Sequence, residues 1–363
     1  MRVLILHESI PEGGVLHPEA TNFDKSVNLY AEEYMRQNSI QADLRPHSSN
    51  QVLKTLTKPF MLFFINLPDA ISDCHLFNQY DALYSASDSN AFATELFRRL
   101  IHSRTPHVAV SYGLSNLLVA SPRARNAKKL VGLEYMYKHL LSEITLILFF
   151  SRSQMLFMRS LLGLSESRTR FVRYYVDTEY YRPQYGEDNY VLSVGRDPPR
   201  DYDTLLRAFK NIDEKLRIVS GQNNLNGKSI PQLTQMVEMP SASLRNVYSH
   251  SKFVVLPIRS YQSLAGQCIL LESMAMGKTV IATKCWGTED YIIDGQTGFF
   301  VRAGDENELR NKIQYLLRNP EVAESIGKSA RQFVEKECSQ KAYSTELLKL
   351  LKEACNTKTK LPK

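Results

Sequence analysis

Two doubly wound, Rossmann-like α/β domains facing across a cleft are what this sequence predicts, on three observations. The chain has 363 residues, more than one ordinary core organises. Short apolar runs alternate with helical patterns over nearly its whole length, the signature of βαβ units and parallel sheets. That alternation stops over Tyr175–Asn189, where Asp, Glu, Arg, Pro, Gln, Gly and Asn displace the periodic apolar residues, as they do in a linker. The resulting division is an N-terminal domain over 1–175, a linker over 176–189, a second domain over 190–340, and a C-terminal helix and tail over 341–363. Two such domains imply a crevice between them where a ligand binds.

The elements follow in order. Strands are predicted at Val3–Leu6, Ile40–Leu44, Ala82–Ser85, His107–Ser111, Leu146–Phe150 and Phe171–Tyr174, with Met61–Ile65 a less regular candidate. Helices are predicted near Asn22–Arg36, where Val27, Tyr30, Ala31 and Tyr34 share a face, and near Asp88–Ile101, Gly132–Glu143 and Ser151–Leu162,. In the second series the strands are Tyr190–Val194, Leu216–Ser220, Gln235–Glu238, Phe253–Pro257, Thr279–Thr283 and Gly298–Val301. Asp305 followed by Glu308 has the spacing of a capping box, ahead of the apolar stripe Leu309, Ile313, Leu316 and Leu317,. Asn319–Pro320 stops that helix, and two more are predicted near Ser329–Glu337 and Gln340–Ala354,.

Composition narrows the class. A hydrophobic fraction of 43% and a charged fraction of 23% are those of a globular protein,. No apolar stretch approaches the ~18 residues of a membrane helix, and Arg2–Leu6 is too short for a signal-peptide core,. The reading is a cytoplasmic protein. Cys74, Cys268, Cys285, Cys338 and Cys355 are widely spaced and form no C-x-x-C pair, so neither a disulfide framework nor a zinc site is suggested. Net charge is +7. Arg98, Arg99, Arg104, Arg123, Arg125, Lys128 and Lys129 fall in one run without an acidic residue. That run reads either as a solvated surface or as a docking face for an anionic membrane or a phosphorylated acceptor. No aromatic platform or known motif accompanies it, which argues against nucleic acid.

Two segments carry chemistry. In the first, the strand FVVLP is followed by the loop IRSYQSLAGQ, the helix CILLESMAM closed by Gly277, and the strand TVIAT,. The helix is apolar almost all round and should be buried, yet Glu272 sits in its middle. A buried carboxylate needs compensation. Either an Arg or Lys pairs with it, or it accepts hydrogen bonds from ligand hydroxyls, the reading favoured here. Ala265 and Gly266 let a ligand approach the backbone,, and the amides of Gly266, Gln267 and Cys268 begin a helix where an anion is favoured. An anion site beside a buried carboxylate suits the phosphate and sugar hydroxyls of a nucleotide.

In the second, VLSVGRDPPRDYDTLLRAF, a strand ends at Gly195, and Arg196 and Arg200 follow before a helix. Two guanidinium groups there can grip a diphosphate. Asp201 and Asp203 have the Asp-x-Asp spacing of metal-dependent transferases, but their position ahead of a helix favours N-capping.

These motifs resemble the retaining group 1 (family 4) glycosyltransferases of GT-B fold. YYVDTEYYRP resembles their interdomain segment, VGRDPPRDYDTL their donor-phosphate loop with Arg200 where Lys is usual, and LLESMAMGKTVIAT and GTEDYIIDGQTGFFV the segments that follow. The resemblance covers about residues 172–340. It implies that the C-terminal helices return to the first domain. Arg196 and Arg200 would hold the leaving diphosphate, Glu272 would contact the donor ribose, and the strand holding Val237 and Glu238 would lie beside the base. Gly13 and Gly14 resemble the glycine loop on the acceptor side, and Tyr112 stands near the position of a family histidine. His17, His102 and His107 do not occupy that position. Leu264 stands eight before Glu272 where the family often has Glu, so the contact to the transferred sugar differs.

The implied reaction is transfer of a sugar from a nucleoside-diphosphate carrier, with retained configuration and no metal or other cofactor. The acceptor is a glycan, a lipid-linked molecule or a protein. Two alternatives stay open: a catalytically silent nucleotide-sugar-binding relative, motivated by Leu264 and Tyr112, and a sugar-nucleotide epimerase or phosphorylase on the same plan.

Overall fold

The computed structural model describes residues 1–6, 31–45, 55, 67–112, 114, 130–184, 186, 189–240 and 243–358. Gly13, Gly14, His17, the predicted strand Met61–Ile65, and the basic residues Arg123, Arg125, Lys128 and Lys129 lie outside them. Contacts divide the chain into two units, one of residues 1–172 with 343–363 and one of residues 173–342.

The first unit is a parallel sheet of β1 (Arg2–Leu6), β2 (Gln41–Arg45), β3 (Ala82–Ser85), β4 (His107–Ser111), β5 (Leu146–Phe149) and β6 (Thr169–Phe171), in the order β2-β1-β3-β4-β5-β6. Its described helices are α1 (Leu67–Asp73), α2 (Asp88–Leu100), α3 (Leu130–Leu141) and α4 (Arg152–Leu162), with a helical stretch over 31–37. Buried Val, Ile, Leu and Ala form the strands because they are sheathed on both faces, as a parallel sheet requires,. Serines begin the helices: Ser87 accepts from the Asn90 amide and Ser151 from the Gln154 amide at 3.2 Å,. Phe92, Tyr137, Ile147, Phe149 and Met158 centre the core.

The second unit has β7 (Tyr190–Val194), β8 (Leu216–Val219), β9 (Thr234–Val237), β10 (Ser251–Leu256), β11 (Val280–Thr283) and β12 (Phe299–Val301), all parallel in the order β12-β11-β10-β7-β8-β9. Its helices are α5 (Tyr202–Phe209), α6 (Leu244–Ser249), α7 (Gln267–Ala275), α8 (Glu306–Arg318) and α9 (Pro320–Glu337). The chain continues into α10 (Gln340–Lys358), most of which belongs to the first unit, as the fold class implied. There Tyr343 meets Tyr84 hydroxyl to hydroxyl at 2.6 Å. The order reverses between β7 and β10, so the carboxyl ends of those two strands flank a topological switch point, where α/β sheets bind ligands.

Several expectations shift. The last strand of the first unit lies at Thr169–Phe171, upstream of the predicted Phe171–Tyr174. The helix expected at Ser329–Glu337 begins at Pro320, because proline that ends α8 is also suited to the first position of α9,. Asp305 caps α8 through the Glu308 amide at 2.9 Å, but the Glu308 carboxylate accepts from the Arg302 amide, so only half of the capping box forms. Among the described residues no helix is long and apolar enough to cross a membrane.

Helix α9 lies against the end of α7 with no room to spare. A Cβ on Gly327 would overlap the Gly277 carbonyl and approach the Thr279 amide to 3.2 Å. Helix propensity alone would make Gly327→Ala stabilising by up to ~1 kcal/mol. The overlap instead predicts a loss of about 1–3 kcal/mol, read by urea unfolding. A gain would show that α9 moves aside freely.

Candidate functional site

The loop after β7 is built around a buried arginine. Arg200 is 3% exposed. Its Nη2 pairs with Asp197 at 3.2 Å, while Nε and Nη1 are buried and make no hydrogen bond among the described residues. Its guanidinium lies directly over Gly195, where any Cβ would overlap it, and reaches within 3.0 Å of a Cβ position on Gly266. Both glycines hold positive φ, +151° and +95°, so backbone conformation and space each demand glycine. Gly195, Arg200 and Gly266, far apart in the chain, are therefore one site at the switch point.

The surrounding backbone is tied down. The Asp201 amide donates to the Pro257 carbonyl at 3.0 Å and the Arg259 amide to the Pro199 carbonyl at 2.9 Å, joining the loops after β7 and β10. Asp201 caps α5, accepting from the Thr204 amide at 3.2 Å and its hydroxyl at 2.7 Å. Asp203 pairs with Arg259 at 2.9 Å and with Lys228. Asp201 and Asp203 are thus the N-cap and ion-pair partners of their own loop. Among the described residues, no group of three or more His, Cys, Asp or Glu is arranged to hold a metal ion.

Gly266 opens α7, whose first turn holds Gln267 and Cys268. The Gln267 side chain is buried with Nε2 3.5 Å from the Tyr291 hydroxyl, and the half-buried Cys268 thiol lies 3.4 Å from the Tyr174 hydroxyl. Their first-turn backbone, at the positive end of the helix dipole, lies beside Arg200 through Gly266.

Arg196 takes a different direction. Its Nη2 donates to the Met239 carbonyl at 2.8 Å and stands 3.8 Å from Glu238, tying the ends of β7 and β9 together where Val237 and Glu238 lie. Arg200 and Gly266 meet; Arg196 joins Met239 and Glu238 instead.

Glu272 is buried in α7, and among the described residues no Arg or Lys pairs with it. Its partners are two phenols: Tyr248 donates to Oε2 at 2.8 Å, and Tyr181 donates as well. Burial pushes the carboxyl up to about 7, and the two phenol hydrogen bonds pull against that rise. Leu264, where the family pattern has Glu, is fully buried. The loop around it is braced by the next one, the Trp286 amide donating to Tyr261 at 2.9 Å and the Gly287 amide to Ser263 at 2.8 Å.

In the first unit Tyr112 is half-buried; its amide donates to Asp88 at 2.9 Å and its ring meets Phe150 edge-on at 6.1 Å. His107 is fully buried between Glu95 at 3.1 Å and Ser85 at 2.9 Å, a packing histidine whose burial lowers its basicity. Two members of the basic run, Arg98 and Arg99, are drawn into pairs with Glu95. Arg98 is turned inward, gripping Glu95 at 2.8 and 2.9 Å and the carbonyls of Ser103, Thr105 and Glu143. Arg99 donates to Glu95 and to the His139 carbonyl. Glu95 precedes the run by three residues, at helical pairing distance. Among the described arginines of the run, only Arg104 is exposed.

Sequence reasoning missed Asp197, Arg259, Tyr181 and Tyr248. Asp197 stands at helical spacing from Arg200 and was in principle readable. Tyr248 lies 24 residues before Glu272, with no local pattern linking them.

Residues 188–319 match the family model described as Glycosyl transferases group 1. Among curated relatives, the capsular polysaccharide biosynthesis glycosyltransferase CapM of Staphylococcus aureus is 26% identical over 207 residues, 52% of this chain and 53% of CapM. The chain spans about half or less of the length of the curated relatives it matches. Sucrose-phosphate synthase from Thermosynechococcus elongatus superposes with a TM-score of 0.74 at 17% identity, covering 98% of this chain and 100% of that one. HepE from Anabaena, solved in complex with UDP-glucose, gives 0.71 at 14% identity over 97% and 100%. The fold is the two-domain α/β fold of the GT-B glycosyltransferases.

The raised carboxyl of Glu272 fixes a pH dependence. Its folded value of about 7 exceeds the ordinary 4.5, so the stability it contributes is complete below about pH 4.5 and is lost as pH rises through about 7. The stability of the native chain relative to Glu272→Gln should fall across that window by on the order of 3 kcal/mol, measured by urea unfolding at both ends. A constant difference would contradict the burial of an ionisable carboxyl here.

Proposed function

We propose that this chain is a metal-independent, retaining glycosyltransferase that moves a sugar from a nucleoside-diphosphate donor to a glycan, lipid-linked or protein acceptor. The observation that carries the reading is Arg200: a buried guanidinium with two nitrogens, Nε and Nη1, that have no hydrogen-bond partner among the described residues, beside the first turn of α7. A buried unpaired donor on a cation costs free energy unless a ligand completes it. An anion of diphosphate size supplies the acceptors, and the two glycines make the room in which the guanidinium itself lies.

The chemistry follows from charge. As the sugar–phosphate bond breaks, positive charge develops on the sugar and negative charge on the departing diphosphate. Arg200 Nε and Nη1, together with the α7 N-terminus, stabilise that negative charge. Arg196 extends the positive potential toward the end of β9, where Glu238 and Val237 border the base. Glu272 accepts from the donor ribose. The acceptor hydroxyl attacks on the face the diphosphate leaves, and a leaving phosphate oxygen takes its proton, so no side-chain base is required. The likeness to HepE, which was solved with UDP-glucose, supports a nucleotide-sugar donor. The likeness to CapM supports a glycan acceptor. An arginine kept buried with two of its three nitrogens unbonded among the described residues supports a working enzyme over a silent relative.

Arg200→Ala should lower turnover by about 10²–10³, and Arg196→Ala by a comparable factor, as loss of a transition-state donor does. The assay is release of nucleoside diphosphate from UDP-, GDP- and ADP-sugars, with and without acceptor. Near-normal rates in both variants, with donor still bound, would remove this mechanism.

A further inference from the structure

The stretch around Tyr175–Asn189 reads in sequence as a linker, yet its first part is fastened to the unit that carries Glu272. Arg331 of α9 is the peg. Its Nη1 donates to the carbonyls of Thr178, Tyr181 and Ala275 at 3.0, 2.7 and 2.8 Å, and its Nη2 to Thr178 at 3.0 Å. One guanidinium thereby joins the 178–181 backbone to the last turn of α7, the helix that bears Glu272. Pro183 lies 3.4 Å from a Cβ position on Gly277, just beyond that helix. Asp177 holds the turn from below, accepting from the amides of Glu179 and Tyr180 at 3.0 and 2.9 Å.

What this fastening delivers is the Tyr181 ring. Tyr181 is 4% exposed, and its ring packs against that of the fully buried Tyr248 at 6.3 Å, edge to face. Tyr248 comes from the last turn of α6. Both hydroxyls donate to the Glu272 carboxylate. A Glu side chain has three rotatable bonds and, in an apolar pocket, no reason to present one edge to a ligand. Two phenols on rings locked by packing remove that freedom.

We infer that Tyr248 and Tyr181 are positioning residues, a two-phenol clamp that orients the Glu272 carboxylate toward the hydroxyls of the bound nucleotide. The inference rests on the reading of Glu272 as the donor-ribose contact. The clamp also accounts for how a carboxylate stays in this helix without a cation: the phenols stabilise its ionised form but, being neutral, leave its charge available to ligand hydroxyls. Burial lifts the Glu272 carboxyl while the phenols oppose the rise, so removing either hydroxyl moves its ionisation to higher pH. The fastening of the 178–181 segment by Arg331 thereby holds one of the two phenols on the Glu272 carboxylate.

The test is calorimetric titration of UDP, GDP and ADP into the full chain and its Tyr248→Phe, Tyr181→Phe and Glu272→Gln variants, from about pH 6 to about pH 8. Phe keeps the ring and its packing and deletes one oxygen. Each Tyr variant is expected to bind the preferred nucleotide roughly ten-fold more weakly, the loss typical of a hydrogen bond to a charged group. The rise of affinity with pH should be displaced upward in each, and Glu272→Gln should abolish that rise. A merely structural tyrosine would lower the melting temperature without moving the pH profile, and that result overturns the clamp. Wild-type affinity and profile in both Tyr variants, with weak binding by Glu272→Gln, also overturns it while sparing the ribose-contact reading. Wild-type binding by Glu272→Gln removes that reading and the clamp with it. Should Tyr248→Phe not fold, Tyr181→Phe carries the same test.

Discussion

The second unit is organised around a cation that has been taken out of water and left partly unanswered. Desolvating a guanidinium costs several kcal/mol even after relaxation, and Asp197 offsets this through one nitrogen only. The rest of the architecture keeps Arg200 in that state. Glycine at 195 and at 266 makes the space, the Asp201 cap and the hydrogen bonds between 199–201 and 257–259 hold the loop, and the reversal of strand order between β7 and β10 brings the two loop ends together. A substituent at either glycine would press on the arginine, so the small residues and the large one are a single constraint.

Helix α7 links this site to a second buried charge. Its first turn faces Arg200 through Gly266, and its middle carries Glu272. The two charges are handled differently. The arginine keeps unpaired donors and is made rigid by backbone. The carboxylate has its lone pairs addressed by neutral phenols and is made rigid by aromatic packing. An ion pair would have neutralised Glu272; hydroxyl partners do not. The first unit shows the opposite case: Glu95 of α2 is answered by Arg98 and Arg99, with His107 beside it, and so consumes charge that in sequence looked like surface.

Much of this was legible in the residues. Strands buried on both faces stand where periodicity put them, Ala82–Ser85, His107–Ser111 and Tyr190–Val194 to the residue. Such runs are governed by local burial and tolerate little slippage. The capping serines and aspartates, Gly277 after α7, and Asp201 as a cap were readable because capping depends on neighbours within four residues. Errors fell where signals were short or shared. The short helices α1 and α6 carry too few turns to show a period, and Pro320 both ends one helix and begins the next. Arg98 and Arg99 were misread because the acidic partner sits just ahead of the run.

The sequence by itself determined the alternating α/β plan, the two sets of elements, and the identity of Gly195, Arg196, Arg200, Gly266 and Glu272 as residues worth watching. These are properties of local pattern, set by periodicity and by which side chains can be buried. Only the tertiary structure decided which of them meet. Arg200 joins Gly266 across more than sixty residues of chain, while Arg196, four residues away, turns to the end of β9. Glu272 finds Tyr248 and Tyr181 rather than a cation. Those pairings depend on strand order and on how loops from different strands pack at one sheet edge. No local rule encodes such contacts, because their energy comes from groups distant in sequence.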